Sequence, residues 1–342
     1  NNTALGFLAL TANTTGTNNT AVGTNAGAAV TTGVENTLIG ALAGDALTDA
    51  DENTAVGKSA LTADTLGSRS TAIGQGTLAT QNFTTATQTY NTAVGFQAGN
   101  AVTTGTQNTL IGSLAGDAVT VGIQNVALGM NSLGAATDAD YNVAIGAYAL
   151  DADTLGSNTV AVGYGALTTQ NFTTATNTYN TAVGHLAGQL VTTAVNNTLI
   201  GGLSGDALTT GSNNTTLGKG SLSAMTTGNS NVAIGINALT SDTLGARNIA
   251  IGVGSLETQN FTTATNTYNT AVGYAAGTAV TTGVYNTFLG GLSGESITTG
   301  QRNVAIGTFT LDADDLGSKN TAVGYAALTS QNYATATDGH NT

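Results

Sequence analysis

The chain has 342 residues, a net charge of −13 with only 7% of residues charged, 47 Gly, and neither Cys nor Pro. The absence of Cys excludes a disulfide framework and a thiolate metal site. The six basic residues, Lys58, Arg69, Lys219, Arg247, Arg302 and Lys319, are scattered. No basic stripe is therefore available to displace counterions from phosphates, and nucleic acid is not an expected partner.

Asn-(Thr/Val)-Ala-(Val/Ile/Leu)-Gly begins at Asn2, Asn19, Asn36 and Asn53 and recurs, in most units after 17 residues, to Asn320, giving 19 full units. The first position is Asn except at Ser70 and Thr159, and the fifth is Gly in every unit, from Gly6 to Gly324. A fixed short period describes one supersecondary unit stacked many times. Pro would remove a ladder donor from such a stack, so its absence fits.

Within a unit, positions two and four are β-branched or Leu and share one strand face, while position three, usually Ala, faces the other way. Gly at position five ends or bends the strand, because φ is positive there or a neighbouring backbone is close. A second short strand is expected around positions eight to twelve, with its apolar residue at position nine (Leu61, Leu150, Leu167) or twelve (Val102, Val119, Leu208). Thr-Thr-Gly or Thr-Leu-Gly then signals a turn. Two strands and two turns per coil predict an all-β fold, a parallel β-solenoid or β-roll of about 19 stacked coils. At about 4.8 Å per coil it would be a rod roughly 90 Å long.

Asn at position one, as at Asn19, Asn36, Asn91, Asn108, Asn180, Asn197, Asn269 and Asn286, is expected to form a ladder in which each side chain bonds the next coil. The apolar core looks thin. Position three enlarges in the second coil of each block, at Leu38, Leu110, Leu199 and Phe288, which reads as an apolar stripe on the outer face. Such a stripe calls for burial against another chain, most simply in a homotrimer.

The units beginning at Ser70, Thr159, Asn248 and Asn320 run 21 residues and close blocks. The whole reads as a single repeat domain, 1–342, with a leading coil 2–18 and blocks 19–90, 91–179, 180–268 and 269–340. Whole coils have been added or dropped without disturbing the rest, as nearest-neighbour stacking permits. The chain starts and stops within the repeat, so it is expected to be a piece of something longer or to stack end to end. No apolar run is long enough to span a bilayer, and no signal-peptide pattern is present.

The strand Asn142-Val-Ala-Ile-Gly146, repeated at 231–235 and 303–307, resembles the head repeat of YadA-like trimeric autotransporter adhesins, and similar repeats occur in phage tail-fibre shafts. The unit here is longer than the family's, and the 21-residue coils have no counterpart in it. The resemblance implies an extracellular trimeric fibre, on a cell surface or virion, used for attachment.

Three long coils share Thr-Gln-Asn-Phe-Thr-Thr-Ala-Thr and the fourth has the variant Ser330–Thr337 with Tyr333, so Phe83, Phe172, Phe261 and Tyr333 are candidate surface residues for stacking on a sugar, or else plugs for the wider coil or an interface. Asn82, Asn171 and Asn260 lie in Asn-Phe-Thr sequons. Asp-rich turns such as Asp49-Ala-Asp51-Glu52 lack a recognised calcium spacing, and Asp64, Asp153, Asp242 and Asp315 read as turn caps. His185 and His340 are the only histidines, and no nucleophile, base and orienter can be assembled around them. No catalytic residue, cofactor or metal site is expected. The expected function is a non-enzymatic extracellular fibre or adhesin segment whose partners are itself and a glycan or host-cell surface. An end-to-end surface filament is the alternative. Ice binding is a minor one, because replacements such as Thr48-Asp49 interrupt the Thr-Thr array.

Overall fold

The computed structural model describes all 342 residues. The chain is an all-β parallel solenoid with one three-residue strand per coil, and it contains no helix. It divides into two compact units, Asn1–Thr178 and Tyr179–Thr342. The first carries ten such strands, from Thr3–Leu5 to Val160–Val162, and the second carries nine, from Thr181–Val183 to Thr321–Val323.

Within each unit the strands pair in parallel with no slip, so Ala21 faces Leu38 and Leu199 faces Thr216. The pairing follows from the repeat. The amide at position two donates to the Asn carbonyl of the next coil, as Thr20 does to Asn36 at 2.8 Å. The Gly amide at position five donates backward, as Gly23 does to Leu5 at 2.8 Å. Gly is needed there on both expected grounds. At Gly57 φ is 139°, and a Cβ would lie 2.4 Å from the carbonyl oxygen of Gly74.

The second strand at positions eight to twelve does not form. Positions seven and nine are left-handed in every coil, as at Asn25 and Gly27 with φ of 59° and 57°, and that reverses the chain. Turn bonds such as Val30 to Gly27 at 3.1 Å alternate with bonds to the next coil, such as Gly27 to Ala43 at 2.9 Å and Ala29 to Asp45 at 3.0 Å. Leu61, Leu150 and Leu167 adopt the same conformation at position nine, with φ between 51° and 54°. They and Val102, Val119 and Leu208 are nonetheless fully buried, as core apolar residues should be. True second strands occur only where a long coil sits on its predecessor, as in Gly67–Ser68 with Thr87–Gln88 and Gly245–Ala246 with Thr265–Asn266.

The expected assignment of faces is inverted. Position three is the core: Ala21, Leu38, Ala55, Leu110, Leu199 and Phe288 are fully buried, whereas position four is half-buried or exposed. The reason is cross-section. Each coil is too narrow for a β-branched side chain at every inner strand position. The interior instead combines a small residue at position three with residues from positions eight, nine and twelve. Leu38, Leu110, Leu199 and Phe288 therefore form no outer stripe. They fill the space left by Gly at position nine, where a Cβ on Gly27 would lie 2.6 Å from Leu38 Cδ1. Ala28, Ala41, Val22 and their equivalents line the outside.

Candidate functional site

Three arrangements offer chemistry: the buried amide ladder, the long-coil network, and the line of side chains at the last position of each coil.

In the ladder, Asn19 Oδ1 accepts the backbone N–H of Asn36 at 2.9 Å, and Asn19 Nδ2 donates to Gly33 O at 2.7 Å. Asn36, Asn91, Asn108, Asn197, Asn269 and Asn286 repeat the bond to the position-fifteen carbonyl of their own coil, and Asn180 donates to Ala194 O at 2.7 Å. These side chains are buried, and they pair mainly with backbone rather than with each other.

Where Ser70 replaces Asn, its side chain is too short for these bonds. Gln81 takes over, donating through Nε2 to Ser70 Oγ at 2.9 Å and to Asp64 Oδ2 at 2.5 Å, while its Oε1 accepts from Asn91 Nδ2 at 2.9 Å. Asp64 Oδ1 accepts the Gly67 and Phe83 amides at 3.0 and 3.1 Å. Asp153 with Gln170 and Asp242 with Gln259 repeat the Gln-to-Asp bond, the latter in a coil that keeps Asn248 in the ladder. Desolvation pushes the carboxyls of Asp64, Asp153 and Asp242 above the usual range, against the lowering effect of the Gln and amide donors.

Phe83, Phe172 and Phe261 turn inward and are only 7% exposed, so they are not available to stack on a sugar. Their backbone amides are drawn toward the buried aspartates, which carries the rings with them. Tyr333 is half-buried, with its hydroxyl 3.2 Å from Asn341 Nδ2. The loop surface is left to Asn82, Thr84 and Thr85. The Asp-rich turns use their carboxylates internally: Asp51 Oδ1 accepts the Val34 amide at 2.8 Å, and Asp140 Oδ1 accepts the Ile123 amide at 2.8 Å. A recess of about 260 Å³ beside the first long coil is lined by Asp49, Asp51, Glu52, Ser68, Arg69 and the Thr87–Gln88 strand. Its Arg69 is neutralised by Glu52 at 3.1 Å. His185 and His340 stand on different coils of the second unit, at different positions of the repeat.

The feature that sequence reading missed is the last position of each coil. Four of the six basic residues, Arg69, Arg247, Arg302 and Lys319, occupy it. In the second unit, consecutive coils place Arg247, Tyr268, Tyr285, Arg302 and Lys319 there. The Tyr268 and Tyr285 rings stack at 5.7 Å with 12° between planes. Arg247 lies over Tyr268 at 5.3 Å and Arg302 over Tyr285 at 5.7 Å. The signal was available as a spacing of 17 or 21 residues between successive Arg, Tyr and Lys residues. No family model matches this chain, and no curated protein matches it.

Proposed function

We propose that the chain is a segment of a non-enzymatic extracellular fibre or adhesin, a stiff solenoid shaft for attachment or surface display. Its working form is a homo-oligomer, most simply a trimer about a common axis. The observation that carries this reading is the exposed apolar stripe at position four. Within the first unit Ile39, Ile73 and Leu128 are each about 40% exposed, flanked by Phe7 and Phe96. Within the second unit Leu217, Leu289 and Val323 are likewise exposed at position four, as Tyr274 and Tyr325 are at position six. A contiguous apolar line of this kind is unusual on an isolated chain and fits burial against another copy.

Sedimentation velocity tests the assembly. The unaltered chain is expected to sediment as a trimer, and Ile73→Glu with Leu128→Glu as a monomer with unchanged circular dichroism. A chain that sediments as a monomer at micromolar concentration overturns the trimer.

A further inference from the structure

We propose that Arg247, Tyr268, Tyr285 and Arg302 form a binding strip for a carboxylate-bearing oligosaccharide. The proposal deepens the attachment reading and rests on it.

The strip is built against local cost. Arg247, Tyr268, Tyr285 and Arg302 all have positive φ, between 52° and 65°. At this position Asn18, Asn158, Asn196 and Asn213 show the side chain that tolerates the conformation best. A bulky aromatic or Arg there carries strain and, being exposed, gains little burial. Tyr90, Tyr141 and Tyr179 carry the same positive φ at this position, so what sets the strip apart is its unbroken run of Arg and Tyr on consecutive coils.

The backbone holds the strip in register. Arg247, Tyr285 and Arg302 each donate their amide to a carbonyl of the preceding coil, at 3.1, 2.8 and 3.0 Å. The stacked tyrosines and their flanking guanidinium groups then fix one another's side chains. Arg247 also donates through Nη1 to the Tyr268 hydroxyl. Both arginines contact aromatic rings and neither makes a close ion pair, although Arg302 adds a minor electrostatic pull on Asp338. In this they differ from Arg69, held by Glu52, and Lys319, held by Asp338.

Charge selects the ligand. A chain carrying −13 overall repels dense polyanions. Duplex nucleic acid, with a charge every ~1.7 Å, is the extreme case. Two guanidinium groups three coils apart, about 14 Å at ~4.8 Å per coil, match sparse carboxylates on an extended chain. The phenol edges and hydroxyls between them suit sugar hydroxyls. Uronic and sialic acid residues share this chemistry.

Titration calorimetry with an oligogalacturonate and, separately, an oligosialic acid tests the proposal and tells the two sources apart. Binding of at least one is expected, weakening with added NaCl and abolished when the galacturonate is methyl-esterified. Arg247→Asn with Arg302→Asn should weaken it at least tenfold. Tyr268→Asn with Tyr285→Asn, which installs the conformationally preferred residue, should also weaken binding while leaving the thermal melt unchanged or raised. Arg69→Asn should leave binding unaltered. Failure to bind either sugar, equal binding of the methyl ester, equal binding of a single-stranded oligonucleotide, or an unaffected arginine double variant overturns the strip. A chain that assembles as a trimer but binds neither sugar loses this inference alone. A monomer that binds loses the trimer alone.

Discussion

A Cβ added at Gly116 would fall 2.7 Å from Cδ2 of Leu110, six residues earlier in the same coil. The two positions share one volume. Coils with Leu at position nine, such as those containing Leu133 and Leu150, carry Ala at position three, except that Leu222 goes with Thr216; coils with Leu or Phe at position three carry Gly at position nine. Leu110→Ala is expected to cost about 2–5 kcal/mol in urea unfolding, because the cavity has no side chain to fill it. Gly116→Ala adds overlap with Leu110 to the strain of a φ of 55°. In the Leu110→Ala background the overlap vanishes. The double variant should therefore be at least about 1 kcal/mol more stable than the two single losses predict. Simple additivity would show that the volume is not shared.

This pairing also shows what was legible in the sequence. The period, the parallel stacking and the coil number follow from Gly at position five and Asn at position one, because backbone geometry dictates both. Hydrophobicity points to the wrong face because Val56 is more apolar than Ala55, whereas the width of the coil decides which of them is buried. The better marker was covariation between positions three and nine along the chain itself. The missing second strand was hidden because Leu rarely adopts positive φ, so Leu61 and Leu150 read as strand. Phe83 was obscured by its polar neighbours, since a buried aspartate draws its amide inward. The cations at position seventeen looked scattered until the coils were superposed.

Gly57→Ala tests the close backbone approach at position five. The new methyl would meet the Gly74 carbonyl at 2.4 Å, at a φ of 139° that L residues avoid. Strain in that region alone costs about 1–3 kcal/mol, and the clash adds to it. Because coils lean only on their neighbours, the loss should be local. Hydrogen exchange should rise in the coils beginning at Asn36, Asn53 and Ser70 and stay near its original rate around Asn142. Uniform loss of protection would contradict nearest-neighbour stacking.

Asn125→Ala probes the ladder. Asn125 Oδ1 accepts the Asn142 amide at 3.0 Å, and its Nδ2 donates to Ala139 O at 2.7 Å and Asn108 Oδ1 at 3.1 Å. Truncation leaves a buried amide and a buried carbonyl unpaired, at about 1–3 kcal/mol each. Asn125→Asp keeps the acceptor but loses the donor and buries a charge. It should be less stable than Asn125→Ala at neutral pH and recover in acid. The opposite order would mean that the side chain acts by packing alone.

The long-coil aspartates predict an unusual pH dependence. Burial raises the carboxyls of Asp64, Asp153 and Asp242 above their ordinary value of 3.8. The folded chain thus binds these protons more tightly than the unfolded chain. Their contribution to stability is fully present below 3.8 and is lost as pH rises through the elevated folded values. Asp117, Asp151 and Asp206 are raised by burial as well and act in the same direction, whereas Asp338, lowered by its hydrogen bond to Lys319, opposes them at an exposed site. The chain should therefore unfold at higher urea concentration at mildly acidic pH than at pH 7. Asp64→Asn retains an oxygen for the Gly67 and Phe83 amides while removing the titration. With Asp153→Asn and Asp242→Asn it should flatten the pH dependence, while stability at pH 7 falls, because the new Nδ2 groups face the Nε2 donors of Gln81, Gln170 and Gln259. A chain that weakens steadily on acidification, with or without these substitutions, would show that the carboxylates are held ionised by their amide donors and that desolvation does not dominate.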